Sequence, residues 1–94
     1  MAEFTVTVKN SKGFHLRPAS KLLELASSFE GASITLRHHD SGRSADCRNM
    51  MALMMMSSPQ GTVFHVEVNA DDTQAPEIEA AITQLFAKGL GDGI

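Results

Sequence analysis

Apolar and polar residues alternate strictly over residues 3–9, with Phe4, Val6 and Val8 on one side and Thr5, Thr7 and Lys9 on the other. A period of two describes a strand with one buried face, so this stretch predicts the first strand. "NSKG" is turn-like, and from Leu16 the period changes. Leu16, Ala19, Leu22, Leu23, Ala26 and Phe29 fall on one stripe at helical spacing, which predicts an amphipathic helix of about three turns ending at Gly31. Alternation returns over residues 32–38, with Ile34 and Leu36 inward. "HDSGRS" supplies a turn in which Gly42 is free to take positive φ. "SADC" then reads as a short partner strand with Ala45 and Cys47 inward.

Residues 49–56 are too short and too unbranched for a strand, and they read as a short helix capped by Asn49. "SSPQG" ends it. The last strand covers residues 62–68, with Phe64, Val66 and Val68 on one side and His65 and Glu67 on the other. "NADDTQ" offers several caps for a final helix, and Pro76 fits its first turn, where no intrahelical amide is lost. Ile78, Ala81, Ile82, Leu85 and Phe86 mark its buried stripe. The order β-α-β-β-α-β-α predicts a two-layer α+β sandwich. Its sheet is antiparallel or mixed, open on one face and covered by helices on the other.

Composition narrows the function more than the fold. Residues 1–94 read as one domain, because no repeat or low-complexity linker interrupts them and a chain this short buries a little over ~60% of its unfolded surface. The formal charge of −3 argues against a module that grips a nucleic-acid backbone. No stretch approaches the ~20 apolar residues of a membrane span, and the N-terminus does not read as a secretory signal. The single cysteine, Cys47, excludes an internal disulfide and suits a reducing cytosol, so a cytoplasmic location is expected.

The chemistry concentrates in "KGFHLRPASK", residues 12–21. His15 falls at or beside the N-cap of the first helix. The first amides of a helix have no backbone acceptors, and the helix dipole adds partial positive charge there, so Leu16 and Arg17 contribute to a natural anion site. The Arg17 guanidinium can bind phosphoryl oxygens in a bidentate manner. Pro18 stiffens the helix start without removing a needed bond. A neutral histidine is a competent nucleophile, so this arrangement suits a phosphohistidine whose added charge the helix start and Arg17 receive. The same residues also fit a solvated histidine near a cap, and local chemistry leaves both readings open.

The segment "GFHLRPASKLLELASSF" resembles the active-site segment of HPr, the histidine-containing phosphocarrier of the bacterial phosphoenolpyruvate:sugar phosphotransferase system. The "SADCRNMMALMMMSSPQGT" stretch, the order of elements and the closing helix are also similar, so the resemblance covers nearly the whole chain. It implies an open-faced β-sandwich, a four-stranded antiparallel sheet covered on one face by three helices. It implies a carrier rather than an enzyme, with His15 phosphorylated on Nδ1 by phosphoenolpyruvate-dependent Enzyme I. Arg17 would steady the phosphoryl group, and an Enzyme IIA domain would accept it for sugar uptake. The alternative is a nitrogen-branch paralogue that signals through its phosphorylation state, and a more distant one is an interaction domain without histidine chemistry. No cofactor, nucleic-acid partner or membrane insertion is expected, and a monomer is expected.

Three departures from the family pattern matter. Many HPr proteins of low-GC Gram-positive bacteria carry a regulatory serine at the start of the second helix, and the matching residue here is Asn49. Lys12 stands where a small polar residue is common. The last helix starts late and runs into "KGLGDGI", a tail closer to HPr-type domains of larger phosphotransferase polypeptides or to paralogues.

Five of the six methionines lie within residues 50–56. In a helix over residues 49–56, Leu53 and Met56 can share an inward face, and Met50, Met51, Met54 and Met55 cannot all be buried with them. They read either as plastic core filling or as an adaptable docking face for several partners. His38 and His39 are sequence neighbours on a strand and point to opposite faces, so they are poorly placed to chelate one metal ion. They read as solvated residues, as does the outward-facing His65. Cys47 reads as a small buried hydrophobe.

Overall fold

In the computed structural model, which describes residues 2–91, each alternating segment is a strand and each 3.6-period segment a helix. The order is β1 (Ala2–Thr7), α1 (Leu16–Ser27), β2 (Ser33–His38), β3 (Ser44–Asp46), α2 (Met50–Met54), β4 (Val63–Asn69) and α3 (Gln74–Ala87). The four strands form one sheet in the order β1-β4-β2-β3, with every pair antiparallel. The expectation of an antiparallel or mixed sheet resolves to antiparallel throughout.

Register puts like against like. Val6 pairs with Phe64, and Val66 and Val68 lie opposite Leu36 and Ile34. These residues are buried on one face beneath the helices, with Leu22 of α1, Leu53 of α2 and Ile78, Ile82 and Phe86 of α3. Phe64 meets Phe14 and Phe86 edge-on at 5.3 and 6.2 Å between ring centroids, and Phe14 stacks on Phe86 at 6.4 Å. Edge and offset arrangements of this kind add to the gain from burial. On the other face Arg37 reaches Glu3 and Glu67 at 3.7 and 3.5 Å. Exposed pairs of this sort contribute little to stability, and here they mark the polar face of an open sheet.

The helical stripes are narrower than the sequence pattern suggests. In α1 the buried residues are Pro18, Ala19, Leu22 and Ala26. Leu23 and Phe29 are half-buried, and Leu16 is exposed. A helical side chain leans back over the turn that precedes it, and Leu16, the first helical residue, has none. In α3, Ala81 and Leu85 are half-buried while Ala75 is buried instead. Pro76 is the third residue of α3, as its missing N–H requires. The N-cap Thr73 makes no side-chain cap; Asp71 Oδ1 accepts the N–H groups of Thr73 and Gln74 instead.

The short strand β3 keeps the inward parity of Ala45 and Cys47, and the Cys47 N–H donates to the Ile34 carbonyl at 2.9 Å. Burial, with a smaller contribution from the neighbouring Asp46 carboxylate, pushes the Cys47 thiol up from 9.0 to about 12. The thiolate is the reactive form, so alkylation at pH 8 is expected to follow unfolding rather than occur in the native state. The folded-state value is raised, so stability is fully present below the unfolded value and is expected to fall as pH rises from 9 toward about 12. Iodoacetamide labelling with and without denaturant checks the first point, and urea midpoints across that pH range check the second.

Candidate functional site

The loop between β1 and α1 is fixed by its backbone. Gly13 sits at φ 77°, a left-handed conformation that residues with a Cβ rarely adopt. Its N–H donates to the Asn10 carbonyl at 3.1 Å, and the buried Asn10 returns Nδ2 to the Gly13 carbonyl at 2.6 Å. Phe14 and Ser58 then exchange both backbone hydrogen bonds, at 2.7 and 3.1 Å, in an isolated antiparallel bridge. The Phe14 side chain is buried in the aromatic cluster. The residue before His15 is therefore anchored by its backbone to the segment after α2 and by its ring to the core.

His15 is the N-cap of α1, with extended backbone (φ −140°, ψ −161°) and a half-buried side chain. Its carbonyl accepts the Ala19 N–H at 2.9 Å, closing the first helical turn. The amides of Leu16 and Arg17 belong to that turn, where no intrahelical acceptor exists, and Pro18 has no N–H to satisfy. Arg17 is exposed and Pro18 buried in the first turn of the helix. The positive end of the α1 dipole thus lies at His15, with an arginine two residues further on, an arrangement suited to a phosphoryl group.

The Asn49 side chain caps α2, with Oδ1 accepting the Ala52 N–H at 3.1 Å. Asparagine offers no hydroxyl, so an HPr kinase with ATP is expected to leave residue 49 unlabelled, and phosphopeptide mapping checks this. Leu53 and Met56 face inward as the spacing implies. Met51 is 80% exposed, Met55 68% and Met54 43%, while Met50 is half-buried. The helix packs against α1, and two residues beyond Met56 the chain reaches Ser58, the bridge partner of Phe14. The methionine surface and the histidine loop are therefore tied together by the same short segment. Met55, more exposed than Met54, adjoins the trio of Met50, Met51 and Met54. The hydrophobic pattern alone did not separate these four, because a five-residue helix is too short to define a stripe.

His38 and His39 do diverge. His38 Nδ1 accepts the N–H groups of Asp40 and Ser41 and its ring meets Phe64 edge-on. His39 turns instead to His65. Among the described residues no group of three or more His, Cys, Asp or Glu side chains is arranged to hold a metal ion. Lys12 is exposed in the loop, three residues before His15.

The family model described as "PTS HPr component phosphorylation site" matches residues 2–88. The chain belongs to the HPr family. Among curated relatives, phosphocarrier protein NPr of Escherichia coli K12 is 39% identical over 88 residues, covering 94% of this chain and 93% of that protein. Phosphocarrier protein HPr of Xylella fastidiosa Temecula1 is 31% identical over 86 residues, covering 92% and 91%. The crystal structure of HPr-C-His from Thermoanaerobacter tengcongensis superposes with a TM-score of 0.84 at 26% identity, covering all of both chains. This HPr-family protein accordingly has the open-faced sandwich of its relatives. Proteins of the family are non-catalytic carriers, transiently phosphorylated on histidine, that interact with enzymes of the phosphotransferase system. No described helix of this HPr-family chain is long and apolar enough to cross a membrane.

Proposed function

We propose that His15 is the histidine that carries the phosphoryl group. The observation that carries this reading is its position: the histidine of the Gly-x-His-x-Arg-Pro-Ala motif is the N-cap of α1, on a loop held to the core through Phe14. Its imidazole Nδ1 attacks the phosphorus of a phospho-enzyme donor, the donor's own phosphohistidine N–P bond breaks, and the carrier later returns the group to an acceptor. The Leu16 and Arg17 amides and the Arg17 guanidinium receive the added negative charge. Enzyme I is the donor and an Enzyme IIA domain the acceptor, and the protein works in the cytoplasm as a monomeric domain spanning residues 1–94.

The branch served is the finer question. Sugar uptake is the reading that the motif alone favours. The nitrogen-branch reading, in which the phosphorylation state is itself the signal, is supported by the higher identity to Escherichia coli NPr than to Xylella HPr, 39% against 31%.

Incubation with phosphoenolpyruvate and each of two Enzyme I paralogues, sugar and nitrogen, tests both points. An acid-labile, base-stable phosphate that His15→Ala abolishes is expected, and the faster donor assigns the branch. Phosphorylation that survives His15→Ala would move the site elsewhere, and no phosphorylation by either donor would remove the reading.

Met50, Met51 and Met54 form part of the docking face in this reading, since methionine surfaces adapt to differently shaped partners. Met51 is the most exposed of them, so Met51→Glu should leave unfolding midpoints within about 0.5 kcal/mol of wild type, the usual range for surface changes. It should nevertheless slow transfer from Enzyme I. Stopped-flow or quench-flow transfer rates decide the matter, and unchanged rates would place the docking face elsewhere.

A further inference from the structure

Two histidines away from the phosphoryl site meet on the open side of the sheet. His39 follows β2 by one residue, and its N–H donates to the Val63 carbonyl at 3.1 Å, which holds the turn against β4. His65 lies on β4 with Arg37 as its cross-strand neighbour on β2. His39 Nδ1 and His65 Nε2 are 2.7 Å apart, with ring centroids at 5.0 Å and an exposed setting.

A hydrogen bond between two neutral imidazoles needs one N–H and one lone pair. If the bridging proton moves through solvent to the other nitrogen of its own ring, two lone pairs converge on the same space. No net proton is gained or lost in that tautomer change. Zinc holds imidazole nitrogen at ~2.0–2.1 Å, so a tetrahedral ion sets two such nitrogens roughly 3.3–3.4 Å apart, an opening of about 0.6 Å from the distance seen. His39 is exposed and His65 half-buried, and neither belongs to the buried core.

The surroundings suit a cation. Arg37 is already engaged by Glu3 and Glu67, and Asp40 follows His39 directly. His38 is excluded from the set because its Nδ1 accepts two backbone amides.

We propose that His39 and His65 form a two-histidine chelate for a borderline divalent transition-metal ion of the Zn²⁺, Ni²⁺ or Cu²⁺ class, with water completing the coordination. Imidazole is the ligand these ions favour, and Cu²⁺ should bind most tightly. The site bridges the turn after β2 to the centre of the sheet, so a bound ion also stabilises the folded state in proportion to its affinity.

Zn²⁺ titration of the untagged protein by calorimetry tests this. One ion per chain is expected. His39→Gln and His65→Gln should each weaken binding by more than the ~10–100-fold typical of losing an outer-shell partner, while His15→Ala leaves it unchanged. Unaltered Zn²⁺ affinity in either glutamine variant, binding lost in His15→Ala, or no Zn²⁺ binding by the wild type would each overturn the site. Cu²⁺ added to the ¹⁵N-labelled wild-type chain gives a second reading that needs no variant. Paramagnetic broadening should centre on the amides of residues 38–40 and 64–66, and broadening centred on residues 14–17 would count against the proposal.

Discussion

Gly13→Ala is expected to lose about 1–3 kcal/mol from the left-handed backbone strain alone, and more from a collision that cannot relax. A Cβ at this position would lie 2.3 Å from the Ser58 carbonyl oxygen and 3.0 Å from Pro59 Cα, both backbone atoms. To make room, the Phe14–Ser58 bridge has to open, and with it goes the anchor of the residue before His15. Phosphorylation should therefore slow by more than the stability loss explains, because residual folded protein carries a misplaced His15. Gly31 and Gly42 provide the controls: they share the positive φ, at 80° and 74°, but an added Cβ there meets nothing within 4 Å. Urea midpoints and donor-transfer rates of the three alanine variants, compared side by side, check the claim. A Gly13→Ala protein that behaves like Gly31→Ala would show that the bridge does not hold the loop.

Phe64→Ala should be the most damaging single truncation in the sheet, at about 3–5 kcal/mol, a large share of the ~5–15 kcal/mol that holds a domain of this kind together. Its fully buried ring contacts Phe14, Phe86 and His38, so one deletion removes packing from the active loop, α3 and the β2 turn together. Neighbours fixed in the sheet, in α3 and in the anchored loop at Phe14 cannot collapse fully into the space, which places the cost toward the upper end of that range. Phe64→Leu should retain most of the stability. Equal losses for leucine and alanine would mean that the aromatic arrangement, rather than filled volume, is what the core requires.

The sequence exposed what depends on local period and left hidden what depends on register. Alternation at Phe4, Val6 and Val8 and at Phe64, Val66 and Val68 locates two strands, and the onset of helical spacing at Leu16 puts His15 at or beside a helix N-cap, where it lies. The exposure of Leu16 was missed because helical periodicity counts positions without knowing which residue begins the helix. The His39–His65 contact was invisible for a different reason. In the sequence His39 stands beside His38 and His65 lies 26 residues away, and only the offset between the turn after β2 and the strand β4 brings His39 and His65 together. Gly13 carries a similar lesson: a turn-like glycine is readable, but the Ser58 carbonyl that makes it irreplaceable lies 45 residues away in the chain.

The strand order β1-β4-β2-β3 also constrains how the molecule comes into being. Val6 finds its partner Phe64 about 60 residues further along, and β2 likewise waits for β4. During synthesis, when a ribosome adds ~5–20 residues per second, β1, β2 and α1 are made seconds before the strand that unites them. Only the β2–β3 hairpin can pair early, so the nascent chain holds two unsatisfied strand edges until residues 63–69 emerge. Closing those long loops is an entropic step that local helices cannot bypass, so folding should condense around β4 in a single late event.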